Sequence, residues 1–271
     1  MDVALSRTGA WVLRTFFGLV VVFLYAPIAI LVIFSFNDSQ LPSFPLSGFT
    51  LHWYHQFLTN ADLRAALETS AIIAAISSVG AVLLGILASI ALVRRRFRAK
   101  APISALLLSP LVIPYLVFGI SLLLFFHAAG IPRSILTVVI GHIVISLPYT
   151  ILVLMPRLQQ IDVSLEEAAY DLGASRPRTF RSITLPLLLP AVVSAFLIAF
   201  TTSFDEYAVA SFVVGPRLTF PIYLYSALRF PNQLPQVIAV AVVVISISLI
   251  VVVGAEVGRR FAERRLGAVE S

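Results

Sequence analysis

An all-α membrane protein with six transmembrane helices is predicted by three features of this 271-residue sequence. Hydrophobic residues make up 59% of the chain and charged residues only 12%, about half the charged share of a soluble domain of this size. The apolar residues gather into six long runs, roughly 12–36, 69–93, 102–128, 134–156, 187–212 and 236–258, each near the 20 or so residues that span a bilayer as helix. Basic residues alternate from loop to loop. Arg7 and Arg14, the cluster Arg94, Arg95, Arg96, Arg98 and Lys100, then Arg157, Arg176, Arg178 and Arg181, and finally Arg259, Arg260, Arg264 and Arg265 fall on one side. Only Arg64, Arg133, Arg217 and Arg229 fall on the other. Fifteen against four places both termini in the cytoplasm. The net charge of +6 is explained by these loops, and nucleic acid is not needed as a partner.

Taken in order, span one exceeds a signal-peptide core and lacks a small-residue cleavage pattern after it, so it reads as a retained helix. The segment 37–62 is an outer loop whose aromatic content suits a membrane interface, and His52 and His55 belong to it. Spans two and three are joined by the basic cluster. Span three carries Pro110 and Pro114, which predict a bend, and Pro27 and Pro148 mark spans one and four. Runs of continuous rather than alternating hydrophobicity exclude a β-barrel. No cysteine is present, so disulfides and thiolate chemistry are excluded. His52, His55, His127 and His142 are scattered and form no metal cluster. The whole chain, 1–271, reads as a single transmembrane domain.

The loop 157–185, RLQQIDVSLEEAAYDLGASRPRTFRSITL, is too long for a helix–helix connector. Ser164 and Glu167 have capping-box spacing and predict a helix start. Leu165, Ala168, Ala169 and Leu172 form one apolar stripe, and Gly173 ends the helix in the left-handed region. A second short helix is expected from Ser175, with Pro177 in its first turn. So short a helix is unstable alone in water. It must be held by the chain's own spans or by a partner, and periodicity alone slightly favours the former.

Acidic residues within spans are scarce, and such residues normally face a cavity or a partner. Ser194, Thr201 and Asp205 share a helical stripe near the outer end of span five, with Thr202 and Glu206 beside it. Asp205 with Glu206 would attract a cation, or else pair with Arg217 or Arg229. Tyr207, Tyr223 and Tyr225 offer ring faces to a cation or serve as an interfacial belt. Glu256 is expected to pair with Arg259 or Arg260. No GxxxxGK[ST] phosphate loop occurs, so the chain is expected to be no enzyme and to bind no cofactor or metal itself.

Glu167-Ala168-Ala169, then Gly173, then Ile183, Leu185 and Pro186 resemble the EAA loop of binding-protein-dependent ABC importer permeases. Ser203-Phe204-Asp205-Glu206-Tyr207, Ser211 to Pro216, and Pro221-Ile222-Tyr223 are similar to the PotC-like permeases of spermidine/putrescine importers. The resemblance implies a type I ABC importer (MetI-like) permease fold in a bacterial inner membrane. It implies that Glu167, Ala168, Ala169, Gly173, Ile183, Leu185 and Pro186 couple the chain to an ATPase. The implied partners are a second, PotB-like permease, two ATPase subunits carrying ATP and Mg, and a periplasmic or lipid-anchored binding protein. Asp205, Glu206, Thr201 and Tyr223 are the expected substrate path. The alternatives are a permease for an opine-like compound, thiamine or ferric ion, an ion-coupled secondary transporter, and a membrane scaffold.

Overall fold

The computed structural model describes the backbone of residues 7–267 and the side chains of 8–250, 253 and 254. The expected pairing of Glu256 with Arg259 or Arg260 lies outside the described side chains. The described elements are helical, and they fall into two compact units.

One unit comprises residues up to Asn60 and those from Tyr225 onward. It holds α1 (Arg7–Ser35), α2 (His52–Thr59) and α12 (Leu234–Gly267), with α12 packed on both α1 and α2. The most apolar stretch of α1 buries none of its residues within the chain, the pattern of a helix bathed in lipid or covered by another subunit. The segment after α1 is pinned by its polar groups. Trp53 donates its indole N–H to the Asn37 carbonyl (2.9 Å), the Ser47 N–H bonds Asn37 Oδ1 (2.8 Å), and Tyr54 Oη donates to Ser35 Oγ (2.7 Å).

The second unit, Ala61–Leu224, is built on α3 (Ala61–Arg94), α6 (Ile135–Gln160) and α9 (Leu185–Phe204), each packed on the other two. The buried face of α3 explains why they approach so closely. Ala66, Ser70, Ala74, Ser77, Ser78, Ala81, Gly85 and Ser89 are all small, and small residues let membrane helices touch along their backbones. A Cβ at Gly85 would collide with the Thr150 hydroxyl; that hydroxyl instead bonds the Ala81 carbonyl across the helix pair (3.1 Å). Two apolar clusters fill the rest. One holds Ile73, Phe126, Val138, Ile145, Val209 and Val213, the other Val82, Ile86, Leu154, Leu158 and Leu188.

Among the described residues five helices are long and apolar enough to cross a bilayer, and the third span makes six if its two halves are counted as one. That span is not the continuous helix expected over 102–128. α4 (Lys100–Leu108) runs into a 3₁₀ turn at Ser109–Leu111, and α5 (Tyr115–Ala128) leaves at 105°. The reason is local: Pro110 lies in the turn, and Pro114 stands immediately before α5 with extended backbone, where a missing N–H and ring clash disfavour helix on its N-terminal side. Span five also differs from 187–212. Helix runs unbroken from Arg176 to Phe204, stops, and resumes as the separate α10 (Ala208–Val213).

Candidate functional site

The loop after α6 begins with a tight exit from the helix. α7 spans Val163–Asp171, and its N-cap is Asp162, not Ser164 as the capping-box spacing suggested. Asp162 has extended backbone and its Oδ1 accepts the Ser164 N–H (3.0 Å). An aspartate caps as well as a serine, so the earlier acid takes the role and Ser164 becomes the second helical residue. The Ser164 N–H and hydroxyl, helped by the Arg94 charge, hold the Asp162 carboxyl below its ordinary range. α7 ends as expected: Gly173 is at φ +83, its N–H bonds the Tyr170 carbonyl, and the Ala174 N–H bonds that of Ala169, each at 2.9 Å. Those two bonds close a Schellman motif.

No residue of α7 is buried. Leu165, Glu167 and Ala168 lie outward, and Leu172, the last of the apolar stripe, is 90% exposed. The apolar stripe therefore does not hold the helix; the ends of the chain's own spans do, as periodicity favoured, but through polar groups. The hold is polar. Arg94, the last residue of α3, donates from Nη2 to the Ile161 carbonyl (3.0 Å) and to Glu166 Oε1 (3.1 Å). The same oxygen accepts the Thr184 hydroxyl (3.1 Å). One carboxylate thus ties α7 to the end of α3 and to the approach of α9. Neither Glu166, in this loop, nor Arg94, in the basic cluster after span two, was distinguished in the sequence from the charges around it. The available signal was that Glu166 stands off the apolar stripe, the only α7 acid the structure half-buries. Beneath α7 lies a cavity of about 860 Å³, lined by Leu83, Ile86, Leu87, Arg94, Tyr170 and Phe180 among others.

α8 (Arg176–Thr179), capped at Ser175 with Pro177 in its first turn, joins α9 through a π-helical turn, Phe180–Thr184. Ile183 lies in that turn, half-buried; Leu185 and Pro186 open α9, with Pro186 exposed.

At the far end of α9 the two acids part company. Ser194, Thr201 and Asp205 are exposed and share one face, and the Asp205 N–H closes the helix on the Thr201 carbonyl (3.1 Å). Arg217 forms no ion pair with Asp205 among the described residues. Glu206 turns inward and is 5% exposed. Its oxygens accept the backbone N–H groups of Val209 (2.8 Å) and Ala210 (2.9 Å), and Oε2 lies 3.3 Å from His142 Nε2. His142, on α6, is 1% exposed, and its Nδ1 is 2.7 Å from Ser203 Oγ, which is 2.8 Å from Ser77 Oγ on α3. The sequence reading set His142 aside as one of four scattered histidines. Its signal was its place at mid-span, where an ionisable residue needs a partner. Tyr223 is half-buried on α11 (Phe220–Ala227).

Comparison with known proteins bears on both ends. Residues 81–261 match the family model "Binding-protein-dependent transport system inner membrane component". The chain is 39% identical over 231 residues to the putrescine transport system permease protein PotI of Escherichia coli K12, covering 82% of each chain. It is 38% identical over 241 residues to the spermidine/putrescine transport system permease protein PotC of Haemophilus influenzae, covering 89% of this chain and 93% of that one. In fold it resembles a chain of a bacterial ABC transporter that imports alginate, with a TM-score of 0.74 at 17% identity over 95% of this chain and 99% of the other. The chain therefore belongs to the inner membrane components of binding-protein-dependent transport systems: it is a permease subunit of an ABC importer, not itself an enzyme.

Proposed function

We propose that this permease passes polyamines, putrescine or spermidine, across the bacterial inner membrane, as one of two permeases in an ATP-driven importer. The observation that carries the reading is the 38–39% identity, sustained over more than four-fifths of the chain, to permeases of putrescine and of spermidine/putrescine systems. The basic loops face the cytoplasm, as do both termini, and α7 meets an ATPase there. Glu167, Ala168, Ala169, Gly173, Ile183, Leu185 and Pro186 are the coupling residues. Two ATPase subunits bind ATP and Mg, a PotB-like chain is the second permease, and a binding protein delivers substrate from outside.

The mechanism follows from how α7 is held. An outward apolar stripe suits a groove on another protein. The inward carboxylate of Glu166 reaches Arg94 and Thr184. A stroke delivered to α7 is then felt at the cytoplasmic ends of α3 and α9, two of the three helices in the core. Rocking those helices switches the path between inward and outward access. At the other end Asp205 and Thr201, on an exposed face of α9, with Tyr223, offer a carboxylate, a hydroxyl and a ring face to an alkylammonium chain. Glu206 works from behind that surface.

The test is uptake by proteoliposomes holding the chain with its second permease, ATPase and binding protein. Radiolabelled putrescine or spermidine is expected to accumulate only with ATP on the ATPase side, and thiamine, opines and ferric ion are not expected to compete. Competition by one of those solutes, with no polyamine uptake, would overturn the substrate. Uptake driven by an ion gradient without the ATPase would overturn the coupling.

A further inference from the structure

The buried cluster around His142 has more acceptors than an uncharged histidine and an ionised glutamate can supply with protons. Ser77 Oγ donates to the Ile73 carbonyl (2.7 Å). A hydroxyl has one proton, so the 2.8 Å contact between Ser77 and Ser203 is donated by Ser203. That commits the Ser203 proton, and the 2.7 Å contact between Ser203 Oγ and His142 Nδ1 is donated by the imidazole. Nδ1 therefore carries a proton. Each Glu206 oxygen already accepts a backbone N–H from the start of α10. What remains is the 3.3 Å approach of His142 Nε2 to Glu206 Oε2. With Nδ1 protonated, a neutral ring would set a bare lone pair against a carboxylate oxygen in a site that is 1% and 2% exposed. One more proton on that line, on either atom, turns repulsion into attraction and leaves the pair neutral as a whole, which suits a membrane interior. The approach is not aligned as a full hydrogen bond, and Nε2 has no other partner.

The elements joined are the ones that matter for the path. Ser77 belongs to α3, His142 to α6, Ser203 to the last turn of α9, and Glu206 to the break that follows. Asp205 sits in that break, between the two residues the cluster grips. We infer that His142 and Glu206 hold one proton between them and act as a positioning pair, fixing the 205–207 break against α3 and α6 and so setting where the Asp205 carboxylate stands. This rests on the reading that Asp205 meets the substrate.

The chain has no cysteine, so Asp205→Cys gives a single labelling site on this chain, read from its own band after the assembled complex is labelled. In that background the rate of modification by a membrane-impermeant maleimide reads the position of residue 205 without transport. His142→Ala, or His142→Asn, which keeps a donor for Ser203 and removes Nε2, is expected to change that rate about tenfold. With Asp205 intact, the same variants raise the KM for spermidine uptake about tenfold while kcat falls less. Glu206→Ala does the same, and the double variant is no worse than either single one. Glu206→Gln, whose amide can donate to Nε2 but gives up the bond from the Ala210 N–H, is expected to fall between the parent chain and Glu206→Ala in both readouts, the mark of a hydrogen-bonded pair. Labelling and KM indifferent to His142, or Glu206→Gln as damaging as Glu206→Ala, would overturn the proposal; co-purification of the ATPase establishes that each variant is assembled. If Asp205→Asn left uptake unchanged while labelling still responded to His142, the substrate reading alone would fail. If Asp205→Asn weakened uptake and labelling ignored His142, the positioning pair alone would fail.

Discussion

The two ends of α9 solve opposite problems. At one end α7 buries no residue and turns most of its apolar stripe to the outside, with Glu166 as the side chain that ties it to α3 and α9. At the other, Glu206 is enclosed and gathers three partners around it, while its neighbour Asp205 stays exposed. In each case adjacent residues divide the labour. Glu166 faces the chain and Glu167 faces outward; Glu206 faces the chain and Asp205 faces outward. Moving parts of a machine need both a surface for the partner and a rigid hold on their own frame, and a one-residue step along the backbone supplies both.

The largest effect that would break this comparison is at Gly173. Its φ of +83 costs a residue with a Cβ about 1–2 kcal/mol, although open space surrounds it. Gly173→Leu is expected to insert normally, lose transport and co-purify less ATPase, and Gly173→Asn, which tolerates this conformation, to keep more of both. Unchanged uptake in Gly173→Leu would remove α7 from the coupling. Next, Glu166→Ala and Glu167→Ala should separate. Without Glu166 the ATPase still binds and hydrolyses ATP, yet uptake falls about tenfold, because a charged hydrogen bond worth about 1.5–3 kcal/mol no longer transmits the stroke. Without Glu167, binding of the ATPase weakens first. Identical behaviour in the two variants would erase the division of labour at this end. At the other end, Asp205→Asn is expected to raise the KM for spermidine about fivefold to tenfold with assembly intact, an ordinary loss for one charged contact; a wild-type rate would take Asp205 off the path. The smallest effect is at the α7 cap. Asp162 titrates below its ordinary value because the Ser164 N–H favours its ionised form. The cap's contribution is therefore full above the ordinary carboxylate range and is lost as pH falls through the depressed value. Amide exchange of α7 in Asp162→Asn should show faster opening at neutral pH and a weaker acid response than in the parent chain.

The sequence made the spans legible because each is a long apolar run, and a bilayer admits little else. It made the end of α7 legible because Gly173 is needed for a backbone reason that residue type alone conveys. The start of α7 was misread because Asp162 and Ser164 are both good caps and spacing does not rank them. The hold on α7 was not legible at all: Arg94 and Glu166 are far apart in the chain, and each looks like one more loop charge until α3 and α7 are set side by side. His142 was hidden for the same reason, and Glu206, singled out beside Asp205, gave no sign that it turns inward to meet His142. The bend in span three was visible in its two prolines, but its size, 105°, depends on how the halves pack.

The π-helical turn at Phe180–Thr184 sets a constraint on lineage and engineering alike. Such a turn holds one residue more than an α-helical turn. Deleting one residue there would restore ordinary helix and rotate everything upstream by about 100° relative to α9. Thr184 would swing away from Glu166, and the exposed face of α7 would point elsewhere. Length here is phase, and insertions tolerated in an exposed connector would leave this segment out of step with α9.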